Sequence, residues 1–110
     1  MDNRLDTKID RPFQTFCDYQ NNSMQGVVEN YGRDDLYLIL RTSLSVNIGE
    51  FISLSFMKKI NGVNVSYNLN GNIRHVDHYE NGTIGISIEL QYDDVEYIKY
   101  LELFEYESLT

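Results

Sequence analysis

An all-β domain, a closed or nearly closed antiparallel barrel of six strands with one C-terminal α-helix, is the fold class this sequence predicts. Three observations carry it. Val63, Val65, Tyr67 and Leu69 alternate with Asn64, Ser66, Asn68 and Asn70, and Ile84, Ile86, Ile88 and Leu90 repeat the pattern. Period two is the mark of a strand with one buried face. Asn61-Gly62 and Asn81-Gly82 each sit between two such runs, and Asn-Gly suits the positive φ of a type I′ hairpin turn. Short strands at hairpin spacing, ending in a single helical pattern, close most simply as a barrel. A β-sandwich is the main competitor on pattern alone.

The elements follow in order. Residues 1–12 are a polar N-terminal arm, with Arg4, Lys8 and Arg11 among Asp2, Asp6 and Asp10. Pro12 holds Arg11 extended. Residues 13–110 then form the barrel domain with its helix. Residues 13–20 are the first strand, with Phe13, Thr15, Cys17 and Tyr19 on one parity and Phe16 on the other. Asn21-Asn22-Ser23 is a turn cluster. Residues 24–30 make the second strand, and Gly32 with its charged neighbours connects it to a third at 36–41. That third strand is apolar on both parities, which predicts cover on both faces. A loop follows at 43–49. Ile52, Leu54 and Phe56 start the fourth strand of a meander with the two runs described above. Gly71 and the parity change between Ile73 and Val76 predict a bulge or sharp coil in the fifth strand.

Residues 93–107 form the helix. Asp93 and Asp94 suit its N-terminus. Val95, Ile98, Leu101 and then Leu103 or Phe104 recur near 3.6 spacing, while Tyr97, Tyr100 and Tyr106 widen the stripe. One reading packs this helix over a barrel opening. The other makes Tyr97, Tyr100 and Phe104 a surface for a protein partner or a homodimer.

Composition narrows the function. The chain has 110 residues, 42% hydrophobic and 13% aromatic, enough for one folded domain and too apolar for a disordered one. Its formal net charge is −8. That field opposes nucleic-acid polymers and anionic membranes, though not one small anion held by local arginines. No apolar run approaches the ~20 residues of a membrane span, and the N-terminus lacks the apolar core of a signal peptide. The expectation is a cytoplasmic protein. The single Cys17 reads as a small apolar residue. No catalytic motif is present: there is no Gly-x-Ser-x-Gly, Cys-x-x-Cys or phosphate-cradling loop. His75, Asp77 and His78 are the sole His–acid cluster. Residues 75 and 78 face opposite ways on a regular strand, so chelation there needs the bulge. We therefore expect no enzyme, no metal and no cofactor.

Several segments together resemble the PilZ domain. They are Gly26-Val-Val-Glu-Asn30, Leu36-Tyr-Leu, Asn47-Ile-Gly49-Glu-Phe-Ile-Ser-Leu-Ser-Phe56, Leu69-Asn-Gly71-Asn-Ile-Arg74 and Gly82-Thr-Ile-Gly85-Ile-Ser-Ile88. The likeness runs over residues 8–92 and consists of turns and apolar positions. It implies a six-stranded PilZ-like barrel and a role in bacterial signalling. Many such domains bind cyclic di-GMP through Arg-x-x-x-Arg in the arm and Asp/Asn-x-Ser-x-x-Gly after the second strand. Guanidinium groups suit guanine edges and phosphates. Here Arg11 fits the second arginine, while Thr7 stands at the first, with Arg4 and Lys8 off register. Asn30 fits the second motif, but Gly32 holds the Ser position and Asp35 the Gly position. A carboxylate ~4 Å from a ligand charge repels it by about 4 kcal/mol at an effective dielectric near 20, roughly a thousandfold in affinity.

Two functional readings follow from the resemblance. One is a degenerate PilZ-like signalling adaptor that works by protein–protein contact in motility, secretion or surface attachment. The other is a nucleotide-binding receptor for cyclic di-GMP with an irregular site drawn from Arg4, Lys8, Arg11, Asn30, Arg33 and Arg74.

Overall fold

Strong local hairpins lay down most of the architecture. The computed structural model describes residues 8–91 and 95–106. Its strands are β1 (Phe13–Tyr19), β2 (Asn22–Tyr31), β3 (Asp35–Arg41), β4 (Phe51–Ile60), β5 (Val63–His78) and β6 (Thr83–Leu90). They form a closed antiparallel barrel in the order β1-β2-β3-β6-β5-β4, with β4 returning to β1. The barrel excludes the sandwich.

Both Asn-Gly turns have the expected backbone. Asn61 and Gly62 have φ of 50° and 80°, and Asn81 and Gly82 have 61° and 74°. The first hairpin turns at Gln20–Asn21 (φ 47° and 63°), one residue earlier than the Asn-Asn-Ser cluster suggests. Tyr19 pairs Asn22, so Asn22 and Ser23 already belong to β2.

Alternating side chains fill the barrel. Cys17, Val28, Leu38, Ile52, Leu54, Ile73, Ile86 and Ile88 are all fully buried. Burial pushes the Cys17 thiol up to about 11, which keeps it un-ionised and unreactive at neutral pH. β3 is sealed on its inner face and only partly covered on its outer one, where Tyr37 and Ile39 are half-buried and the Tyr37 ring lies over Gly85 of β6. The ladder slips between Ile73 and His75 of β5, where a bulge was expected, and also between Val28 and Asn30 of β2. A bulge bends its strand and re-aims the extra side chain. β5 uses this coil to pair β4 with its first part and β6 with its last.

The described end of the arm is pinned to the barrel. Ile9 is buried and exchanges backbone hydrogen bonds with Tyr31 at 2.7 and 3.1 Å.

The C-terminal helix differs from expectation in its winding. It is α-helical over Val95–Tyr100 (α1) and then π-helical over Leu101–Tyr106; Asp93 and Asp94 lie outside the described residues. Tyr97, Tyr100, Leu101 and Glu105, at i, i+3, i+4 and i+8, lie on the barrel side. Leu103, an expected stripe residue, is 63% exposed instead. The helix covers one barrel opening. Tyr97 donates to the Gly32 carbonyl at 2.6 Å, and the Tyr100 ring lies 5.3 Å from Tyr67. Tyr97→Phe is expected to cost about 1–2 kcal/mol in urea unfolding, since it strips a buried carbonyl of a donor.

Candidate functional site

Two bulges shape a cleft on the outside of the barrel. The β2 bulge brings Asn30 opposite Tyr37, and the β5 bulge leaves Arg74 as the extra residue between Ile73 and His75. Lys8 from the arm reaches the same place. The cleft holds about 220 Å³, with Lys8, Asn30, Tyr37, Arg74 and Ser87 on its walls beside Asp35 and Glu89. Three of the six expected ligand residues, Lys8, Asn30 and Arg74, are thus brought together.

Its charges are already matched. Lys8 Nζ is ion-paired with the Asp35 carboxylate and lies 3.4 Å from the Asp35 carbonyl. Partial burial, opposed by the charge of Asp34, lowers the Lys8 pKa. Arg74 donates to Glu89 Oε1 at 2.7 Å, and that hydrogen bond raises its already high pKa. Two cations face two carboxylates, so the cleft offers a dianion no net attraction.

The other three candidates sit elsewhere. Arg11 donates to Glu105 Oε2 at 3.1 Å, where the π-helical turn closes over the barrel end. The Tyr100 hydroxyl donates to the other oxygen of the same carboxylate. Arg33 lies 3.9 Å from Asp34 in the β2–β3 turn. Arg4 lies outside the described residues. Arg11 is drawn away because Glu105 is a buried carboxylate, and such a group needs a cation close by.

The proposed partner surface needs correction. Tyr97 and Tyr100 are 1% and 6% exposed, so they pack inside the chain and present no ring outward. Both lie on α1, on the side turned to the barrel end, where Tyr97 meets the Gly32 carbonyl and Tyr100 the Tyr67 ring. The side chain of Phe104 lies outside the description. Beneath the helix, Lys58 Nζ stands 3.7 Å from the Phe13 ring centre, with Tyr31 and Tyr100 within 6 Å. Burial among these rings lowers its pKa, against the pull of Glu105. Cation–π attraction offsets part of that desolvation.

The His–acid cluster is tied to Tyr37. Tyr37 donates to Asp77 Oδ2 at 2.7 Å, which leaves Tyr79 to donate to the Tyr37 oxygen at 2.6 Å. His75 Nε2 lies 2.8 Å from Asp77 Oδ1. The Tyr37 hydroxyl first, and His75 second, hold the Asp77 carboxyl below its usual range. This network anchors the ring that covers Gly85. His75 and His78 keep opposite parities because the bulge precedes both, and among the described residues no three metal-binding side chains converge.

Tyr37, Ser87 and Glu89 were not foreseen as parts of the cleft. The signal available for Tyr37 was a large ring on a strand whose neighbour carries a glycine, Gly85. Nothing local marks Ser87 or Glu89, since their role depends on the pairing of β3 with β6.

Comparison of the sequence with family models finds no match, and comparison with curated proteins finds none either. Comparison of the fold does. The structure of the Bacillus subtilis inhibitor of motility, MotI/DgrA, superposes with a TM-score of 0.72 at 12% sequence identity, over 86% of this chain and 45% of that one. The chain therefore spans less than half the length of that protein. What the two share is the fold: a closed six-stranded antiparallel barrel, the PilZ-like architecture that the resemblance implied.

Proposed function

We propose that this chain is a PilZ-like signalling adaptor of the bacterial cytoplasm. It acts mainly by contact with another protein, in the control of motility, secretion or surface attachment. The observation that carries this reading is the neutralised cleft. Asp35 stands where the resemblance expects glycine and is paired with Lys8, while Glu89 occupies Arg74. An anion entering the cleft has to displace both carboxylates. The likeness to a motility inhibitor supports the choice of process at the level of fold. No helix among the described residues is long and apolar enough to cross a membrane.

The rival reading keeps one observation in its favour: Lys8, Asn30 and Arg74 line a single cleft. Titration calorimetry of the full chain with cyclic di-GMP separates the two. The expected result is no saturable heat up to about 100 µM ligand, a binding free energy weaker than roughly −5.5 kcal/mol. Saturation at low micromolar ligand that disappears in Arg74→Ala and Lys8→Ala would establish the receptor and overturn the adaptor reading.

A further inference from the structure

The first half of β5 has an edge that the barrel leaves open. β4 pairs β5 from the turn onward, Ile60 with Val63 through to Phe51 with Asn72, whereas β6 joins β5 only from Gly71. Gln91, just past β6, donates to the Asn70 carbonyl at 2.9 Å, on the β6 side. Ile73 accepts from Gly49 at 2.7 Å and donates to Glu50 at 2.9 Å, on the β4 side. Backbone groups alternate in direction along a strand. Odd-numbered residues from 63 to 73 therefore turn theirs to β4, and even-numbered ones turn away. The N–H and C=O of Asn64, Ser66 and Asn68 point off the sheet, where no strand among the described residues meets them. All three residues are exposed.

Three properties of this edge select a second copy of the chain. It lacks the devices that keep edges apart, a charge, a proline or a bulge. From Ile60 to Ile73 no residue is charged, in a chain 24% charged with a net −8. No like charges meet across it. Its side chains also complement themselves. Laid antiparallel on its own copy about Ser66, Asn64 faces Asn68, Ser66 faces Ser66 and Val65 faces Tyr67. Amides and hydroxyls both donate and accept, so each such polar pair can be satisfied. The length fits as well. The Asn61–Gly62 turn ends the edge on one side and Gln91 on the other. Residue 63 of one copy then stops opposite residue 69 of the other, before β6 begins. Val63, 63% exposed in the single chain, gains cover from Leu69 of the second copy.

We propose that two copies of this chain pair through β5, antiparallel about Ser66, and join their sheets edge to edge. Asn64, Ser66 and Asn68 of one copy exchange backbone bonds with Asn68, Ser66 and Asn64 of the other. A two-fold contact of this kind uses the same patch on both copies, so assembly stops at the dimer. The second copy sits at a strand edge, away from the helix tyrosines that the sequence offered for that role. The proposal goes beyond the adaptor reading and uses no residue of the Lys8–Arg74 cleft.

The test is sedimentation equilibrium of the full chain over roughly 5–500 µM, with amide hydrogen exchange followed by NMR across the same range. The expected result is a dimer mass at the upper end. Exchange of Asn64, Ser66 and Asn68 should slow with concentration, while Val65 and Tyr67, already bonded to β4, stay as they were. Ser66→Pro removes the N–H at the two-fold axis without touching a β4 bond. Ser66→Lys sets two ammonium groups face to face. Each should weaken the dimer about tenfold or more, and thermal melts verify that both variants fold. Gln25→Lys makes the same charge change at an exposed position of β2 and should leave the dimer intact. A monomer throughout the range overturns the proposal. So does a dimer indifferent to both Ser66 variants, one that Gln25→Lys dissociates equally, or assembly that grows past two copies. The cyclic di-GMP titration bears on the adaptor reading alone, so either conclusion can fail while the other stands.

Discussion

Gly71→Ala is expected to lower the unfolding free energy by about 3 kcal/mol, at the upper end of the usual overpacking range. The new methyl group would stand 2.5 Å from the Glu89 carbonyl oxygen and 2.5 Å from Ile88 Cγ2. Glu89 is held there by the β5–β6 ladder, in which Gly71 pairs Leu90 and Asn72 pairs Glu89. The obstacle is therefore backbone and cannot rotate away. Gly71 sits where β5 leaves β4 for β6, the crossing at which the barrel turns its corner. Gly85→Ala is a useful contrast. Its methyl meets the Tyr37 ring, a side chain that can swing out once it surrenders its bonds to Asp77 and Tyr79. We expect a loss nearer 1–2 kcal/mol there. Urea midpoints for the two variants check the order. Equal losses would mean that Tyr37 is as immovable as backbone.

The double variant Asp35→Asn with Glu89→Gln is expected to raise affinity for cyclic di-GMP about a hundredfold over the natural chain. The cleft now balances two cations against two carboxylates. Removing both acids leaves a net charge of about +2 facing a dianion. Asp35 and Glu89 are half-exposed, so solvent screens each repulsion to about 1–2 kcal/mol, and the sum is close to the 2.7 kcal/mol of a hundredfold change. The gain should shrink as salt rises from 50 to 300 mM, roughly a shortening of the screening length from 14 to 6 Å. Stability should change little, since the ion pairs removed are surface pairs worth ~0–1 kcal/mol each. Calorimetry at the two salt concentrations reads the effect. A variant as silent as the natural chain would show that the shape of the cleft, with Tyr37 in its wall, excludes the ligand regardless of charge.

The strands were legible because their determinants are local. Asn61-Gly62 and Asn81-Gly82 choose the turn, and the turn sets the register of the alternating residues beside it. Gly71 and the parity break before Val76 signal the coil of β5 for the same reason. The helix was legible as a helix, but the face it buries was not. A 3.6 spacing from Tyr97 runs through Tyr100, Leu101 and Glu105, which are buried, while Leu103 lies on the opposite side and is exposed. Glu105 is an acid, so its residue type hides its burial; the Arg11 side chain that pairs with it comes from the far end of the chain.

The cleft was legible in its members and illegible in its state. Lys8, Asn30 and Arg74 were foreseen, and so was a surface ion pair for Arg74, though beside Asp77 or Glu80; that Glu89 is its partner and that Asp35 matches Lys8 was not. Lys8 with Asp35 and Arg74 with Glu89 are 27 and 15 residues apart, and Arg11 meets Glu105 across 94. The sequence alone determined the strand count, the hairpins and the presence of an acid where a nucleotide pocket needs glycine, because turn preference and side-chain alternation act between near neighbours. Barrel closure alone decided which acid neutralises which base and which tyrosines are sealed inside. Those outcomes depend on distances between segments remote in the chain, and such distances exist only once the sheet has curled shut.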